Sequence, residues 1–287
     1  MIQNEKKHLI LYTGDVTKNL KSGIWNASRI KSNLELVKAL ENVKLTKFTG
    51  DGDENLKKNI KVLVPVNEKP QKLDGKQEEY EIIVKLFFLD GENIDIKKRE
   101  ETLSQVFYNL HMLFGIDFVS TLVVSFPHIT FLKESGNSSS NEIYDSIDEI
   151  PPQEIQSWVD TWKLLEEKVG EGKIGTLGVS EFGVNELQRL ISSVNVVPES
   201  TQINIGQNCK LPNDLLNFAD RHHLKLFFHS DPSALLSESE ITSVIHKACP
   251  EIPNPARVDW VIRYTILTRH TAVIHQKGYI VQSTYTE

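Results

Sequence analysis

The chain has 287 residues, 39% of them hydrophobic and 25% charged. That is enough to bury about three quarters of the unfolded surface as one unit, which excludes a disordered polymer or a disulfide-stapled miniprotein. No apolar run approaches the roughly 18 residues that cross a bilayer, and 32 Lys and Arg against 39 Asp and Glu leave a net charge of −7, so neither a membrane nor a nucleic acid is expected as a partner.

The opening stretch MIQNEKKHLI loses its apolar character too soon after Lys7 for a secretory leader, and a reducing, cytoplasmic setting is expected. Two cysteines, Cys209 and Cys249, stand in unrelated contexts; they make neither a disulfide framework nor a cysteine-based zinc site.

The apolar run from His8 to Tyr12 ends at Gly14 and predicts a strand. LELVKALENV, after Asn33, places Leu34, Val37 and Leu40 at helical spacing. KVLVPV and EIIVKLFFL are rich in β-branched and aromatic residues and predict two buried strands, separated by a polar loop around 68–79 that reads as mobile. Between Lys97 and Leu113 the residues Leu103, Val106, Phe107 and Leu110 predict a helix, closed by Gly115 before the strand-like DFVSTLVVSF. A second mobile loop is expected around 134–150, where SGNSSSNE is too polar to pack.

Pro151 and Pro152 then open a helix carrying Trp158, Trp162 and Leu165, followed at once by the strand GTLGVSEF. Helices at Glu186 to Ser192 and Asn213 to Asp220 alternate with strands at Gln202 to Gly206 and from Leu224. A helical region is expected to end near Thr268, with AVIHQKGYIVQ as the last strand. Roughly eight strands alternating with helices, with no composition break, predict one α/β domain over 1–287, of (β/α)8 barrel type; an open doubly wound sheet is the competing architecture.

Few motifs carry chemistry. Gly170, Gly172 and Gly175 spell G-x-G-x-x-G, but between a helix and a strand, the reverse of the order that aims helix N–H groups at a pyrophosphate. His222 and His223 are adjacent, so a helix points them apart and they cannot share a metal ion. His229, beside Ser230 and Asp231, ends an apolar strand on the face where a barrel keeps its site, or else is a structural neighbour of a capping Asp231. Ser180, in G-V-S-E-F, lacks the second glycine of a nucleophile elbow. Lys85 lies among Ile83, Val84, Leu86 and Phe87: it either faces a polar interior and a carboxylate or reaches solvent from an edge.

GKIGTLGVSEF, from Gly172 to Phe182, resembles a signature of aldo-keto reductases, and GIDFVSTLVVSFP, Pro198 with Gln202, and WVIRYTI resemble further segments of that family, the last of them a helix. Reductase chemistry of that kind needs an Asp, a Tyr general acid, a Lys and a His. By this resemblance only Lys85 is kept, as a vestige: Ser125 stands in place of the His, Asp74 and Tyr80 fall in a polar loop, and Glu181 replaces the Asn that follows Ser180. No basic nucleotide clamp follows the last strand, so no cofactor is expected.

The chain more closely resembles the regulatory (modifier) subunit family of glutamate–cysteine ligase, catalytically silent barrels of aldo-keto reductase type. LYTGDV, VKLFF, QINIGQNCKLPNDL, HSDPSALLSE and IRYTILTRHTAVIHQKGYIVQ carry the resemblance. The KGYIVQ segment, with Lys277, Gly278 and Tyr279, separates that family from active reductases. The resemblance implies a non-catalytic partner of the ligase's catalytic subunit in a heterodimer of glutathione biosynthesis, which raises glutamate affinity and relieves feedback inhibition by glutathione. It also implies a possible disulfide from Cys209 to that subunit. The alternative is an active NADPH-dependent oxidoreductase.

Overall fold

A computed structural model describes residues 6–19, 32–41, 43–48, 60–89, 95–131, 150–205, 211–229, 231, 235, 238–248, 250 and 257–286. The loop expected around 134–150 falls outside them except for its last residue, and Cys209 and Cys249 lie outside them entirely. Ten strands form one sheet: β1 (Lys6–Tyr12), β2 (Leu45–Lys47), β3 (Ile60–Pro65), β4 (Tyr80–Phe88), β5 (Val119–Ser125), β6 (Ile174–Ser180), β7 (Ser200–Ile203), β8 (Lys225–Phe228), β9 (Arg257–Thr268) and β10 (Val273–Thr286). The helices are α1 (Val16–Asn19), α2 (Ser32–Glu41), α3 (Ile96–Phe114), α4 (Pro152–Gly170), α5 (Val184–Ile191), α6 (Asn213–His222) and α7 (Glu238–Ala248).

The α/β class is as expected, and the alternation is regular from β4 to β8, whose neighbours pair in parallel. The helix boundaries follow the sequence signals. Asp95 caps α3 by accepting from the Lys97 amide at 3.2 Å, and Gly115 ends it in the left-handed conformation, φ 69°. Pro152 opens α4, whose Trp158, Trp162 and Leu165 are buried as their spacing predicts. The three glycines after Val169 span a helix-to-strand turn: Gly170 ends α4, Gly172 turns at φ +71° and Gly175 lies in β6.

One expectation is corrected. WVIRYTI, read as part of a helix, lies in β9, which pairs antiparallel with β10 on one side and with β4 on the other. The β-branched and aromatic residues of this segment favour a pleated strand, and the short turn at 269–272, where Ala272 donates its amide to the Thr268 carbonyl at 2.8 Å, fixes an antiparallel hairpin. The sheet order is therefore β2-β3-β1-β10-β9-β4-β5-β6-β7-β8. The hairpin stands between β1 and β4, so β1, β3 and β9 run opposite to the β4–β8 series, where a uniform barrel would have all strands parallel.

Side chains alternate between two apolar layers. Val84, Leu86 and Phe88 of β4 join Leu103, Val106 and Leu110 of α3 and Trp158, Trp162 and Leu165 of α4. On the opposite face Phe87 joins Leu36 and Leu40 of α2, Val244 and Ile245 of α7, and Tyr279 and Val281 of β10. Helices thus cover both faces of the sheet. The segment 68–79 is tied to the fold: Leu73 donates to the Phe114 carbonyl at 2.9 Å, and Gln77 donates to the Phe118 carbonyl at 2.9 Å and accepts from the Asp117 amide at 3.0 Å. Tyr80, which opens β4, donates its hydroxyl to the Asp74 carbonyl at 2.8 Å.

Candidate functional site

Lys85 shares a face of β4 with Phe87, two residues on, and lies directly opposite Arg263 of β9 in the antiparallel register. Two cations facing each other across a sheet repel, and burial sharpens the repulsion. Asp231, three residues past the end of β8, resolves it: Lys85 Nζ is 2.7 Å from its Oδ2 and Arg263 donates to its Oδ1 at 2.7 Å. The Lys85 and Asp231 side chains are 2% and 3% exposed, so Lys85 faces a buried carboxylate and not solvent.

This contact reports the curvature of the sheet. Lys85 is in register with Val123, Gly178, Ser200 and then Lys225, four strands away. Four strand spacings amount to about 19 Å across a flat sheet, and the six further residues to Asp231 to about 20 Å along it. Side chains of Lys and Asp cannot span that distance. The sheet curls, and the chain after β8 folds back over the face that carries Lys85.

His229 sits beside this pair. Its Nδ1 accepts from the Asp231 amide at 3.0 Å and is 3.3 Å from Asp231 Oδ2. Its Nε2 is 2.7 Å from Glu181 Oε1, 3.1 Å from the Gln202 carbonyl and 3.2 Å from Ser180 Oγ. A backbone donor at Nδ1 and acceptors at Nε2 assign the proton to Nε2. Glu181 holds its place by accepting from the amides of Phe131 at 2.7 Å and Asn204 at 2.9 Å. It adopts φ 67°, an uncommon conformation for a residue with a side chain.

The electrostatics follow from burial and sharing. Burial alone would raise the Asp231 carboxyl, but the charges of Arg263 and Lys85 reverse this and hold it well below the usual carboxylate range. Lys85 is brought down to about 8, first by burial and also by Arg263, against the pull of Asp231. The two shifts are compatible: one carboxylate answers two cations, so it stays ionised while the more deeply buried ammonium is easier to discharge.

Ser180, His229 and Asp231 approach one another as a hydrolase triad would, yet the proton assignment opposes that chemistry. Nε2 carries the hydrogen and offers Ser180 no lone pair, while Nδ1 accepts where a triad histidine donates. Ser125 ends β5. Elsewhere, Lys277 and Tyr279, two residues apart on β10, both clasp Glu35 of α2: Lys277 Nζ lies 2.8 Å from Oε1 and Oε2, and the Tyr279 hydroxyl donates to Oε2 at 2.5 Å. Gln276 donates to the hydroxyls of Tyr12 at 2.7 Å and Tyr264 at 3.1 Å, and burial pushes both phenols up. Among the described residues no group of three or more His, Cys, Asp or Glu side chains is placed to hold a metal ion, and no helix is long and apolar enough to cross a membrane.

The structure therefore brings together Lys85, Ser180, Glu181, His229 and Asp231 and leaves His222 and His223 at the exposed end of α6. Sequence reasoning missed Arg263 as a member of the cluster. The signal was the one that singled out Lys85, a cation inside an apolar strand, but the segment was read as helix.

No protein-family model matches the chain. It is similar to the glutamate–cysteine ligase regulatory subunits of Rattus norvegicus and Homo sapiens, at 33% identity over 123 residues, 42% of this chain and 45% of each relative. The matched part thus spans about half the length of these relatives. It is also similar to aldose reductase B of Dictyostelium discoideum, at 24% identity over 144 residues, 49% of this chain and 46% of that protein. Among solved structures, an aldo-keto reductase from a Medee basin deep-sea metagenome library is similar, with TM-score 0.36 and 18% identity, covering 54% of this chain and 45% of its own. The aldose reductase of Schistosoma japonicum is another, with TM-score 0.32 and 19% identity, covering 68% and 52%.

Proposed function

We propose that this chain is a non-catalytic regulatory subunit of glutamate–cysteine ligase, which binds the ligase's catalytic subunit as a heterodimer in the reducing cytoplasm. The observation that carries the reading is the 33% identity to named regulatory subunits over 123 residues. Bound to one conformer of the enzyme better than to another, the chain would raise glutamate affinity and weaken feedback inhibition by glutathione. A coupling of about 1–3 kcal/mol changes an affinity about 5- to 150-fold.

The arrangement around Lys85 supports a vestigial role for that residue. Its ammonium is committed to the buried Asp231 pair, and the Tyr279 hydroxyl on the same side of the sheet donates to Glu35. A second reading, an NADPH-dependent reductase, is favoured by the likeness to aldose reductase B. The residues at the end of β6 do not suit a nicotinamide cofactor. Glu181 is engaged by two backbone amides and His229, and Ser180 faces the same imidazole.

The test is co-purification with a glutamate–cysteine ligase catalytic subunit, followed by its rate against glutamate concentration with and without this chain. A complex with a lowered KM for glutamate is expected. Failure to form a complex, together with unchanged kinetics, would sink the proposal.

A further inference from the structure

We propose that Lys85 and Arg263 form a receptor for small carboxylates, and that the side chain of Asp231 is the ligand built into it. The inference stands apart from the regulatory reading and rests on how the two cations are placed. They are fixed opposite each other on adjacent strands of the sheet interior, a position set by the register of β4 and β9 and independent of where Asp231 lies. Each approaches a different oxygen of the same carboxylate at 2.7 Å, the geometry in which a bridging carboxylate satisfies two donors. Asp231 reaches them from far along the chain, 146 residues from Lys85 and 32 from Arg263. It brings along its amide, which donates to His229, and its carbonyl, which accepts from Asn204 Nδ2 at 3.3 Å.

The receptor lies where the chain leaves β6, β7 and β8, which is where α/β sheets hold their ligands. Phosphate chemistry fits less well. Glu181, held by His229 beside this cluster, brings a second negative charge close to the site, so a flat monoanion with two oxygens is accommodated and a bulkier, more highly charged tetrahedral ion is opposed. Excising the CH2–COO⁻ of Asp231 leaves a space of the size and charge preference of acetate. An external carboxylate can then take the place that the native chain fills from within.

The experiment compares Asp231→Gly, Asp231→Asn and the unaltered full chain by thermal and urea unfolding at pH 6.5. Sodium acetate, sodium phosphate and sodium chloride are matched for ionic strength. Acetate should stabilise Asp231→Gly saturably, suppressing its unfolding equilibrium about elevenfold at ten times the dissociation constant. The unaltered chain and Asp231→Asn, whose side chains fill the space, should respond to acetate and chloride alike. If Asp231→Gly is unfolded in chloride, the same expectation reads as folding restored in acetate. Equal behaviour of Asp231→Gly in acetate and chloride overturns the proposal, and so does a response to phosphate without one to acetate. A comparable acetate response in Asp231→Asn would place the binding elsewhere and overturn it too.

Discussion

Replacing Gly278 by alanine tests the packing of the segment that carries Lys277 and Tyr279. A Cβ at position 278 would lie 2.4 Å from the Gly14 carbonyl oxygen, 2.5 Å from the Tyr264 hydroxyl and 2.9 Å from Tyr264 Cζ. Neither neighbour yields easily. Gly14 sits at φ +76° in the turn that delivers Asp15, which caps α1 through the Thr17 amide at 3.0 Å and accepts from the Lys277 amide at 3.2 Å. The Tyr264 ring is set against Phe114 with centroids 4.7 Å apart, and its hydroxyl is held by Gln276. Overpacking a core costs about 1–3 kcal/mol, and displacing the Tyr264 hydroxyl forfeits hydrogen bonds of about 1 kcal/mol each. The expected loss is about 2–5 kcal/mol, or a Tm lower by about 3–8 °C for a chain of this size. Urea unfolding followed by circular dichroism measures it. Gly170→Ala is the control: it ends α4, nothing lies within 4 Å of its added Cβ, and its effect should stay within about 0.5 kcal/mol. A Gly278→Ala loss no larger than that of the control would refute the argument that close approach demands glycine here.

The buried cluster should leave its mark on the pH dependence of stability. Lys85 is lowered to about 8 from 10.5, so between those values the native state binds fewer protons than the unfolded chain, and the stability of wild type relative to Lys85→Met should rise from pH 7.5 to pH 10; a flat or falling difference contradicts the placement of Lys85. Asp231 is held below its ordinary 3.8, so its contribution is complete above that value and fades as the pH falls beneath it, and Asp231→Asn should flatten the acid limb. The isolated chain should not reduce aldehydes with NADPH, and turnover exceeding that of Lys85→Met would count against the non-catalytic reading. Cys209→Ser should bind the ligase's catalytic subunit within about 1 kcal/mol of wild type under full reduction, as a small surface change does, whereas a much larger loss would put the thiol in a packed interface core.

Local pattern made much of this protein legible. The spacing of Trp158, Trp162 and Leu165 and the boundaries set by Pro152 and Gly115 are short-range signals, and the helices they predict are present. The glycine fingerprint after α4 could be dismissed because its neighbours stand in the wrong order. A lysine within the apolar run of β4 pointed to either a buried carboxylate partner or an escape to solvent from an edge, since the cost of desolvating an ammonium follows from composition alone. The identity of that partner was not legible. Asp231 meets Lys85 only because the sheet curls and the chain after β8 folds back, and Arg263 joins them only through the register of β9 on β4. The same limit hid the hairpin: the segment was read as helix where β9 (Arg257–Thr268) stands, and its insertion between β1 and β4 depends on pairing energies summed along two long strands. Sequence determined the type of most segments, β9 excepted, and which charges were candidates for burial, because those depend on neighbours a few residues away. Tertiary structure alone decided which strands pair and which charges meet, because contacts between residues 146 apart are set by the packing of the whole sheet.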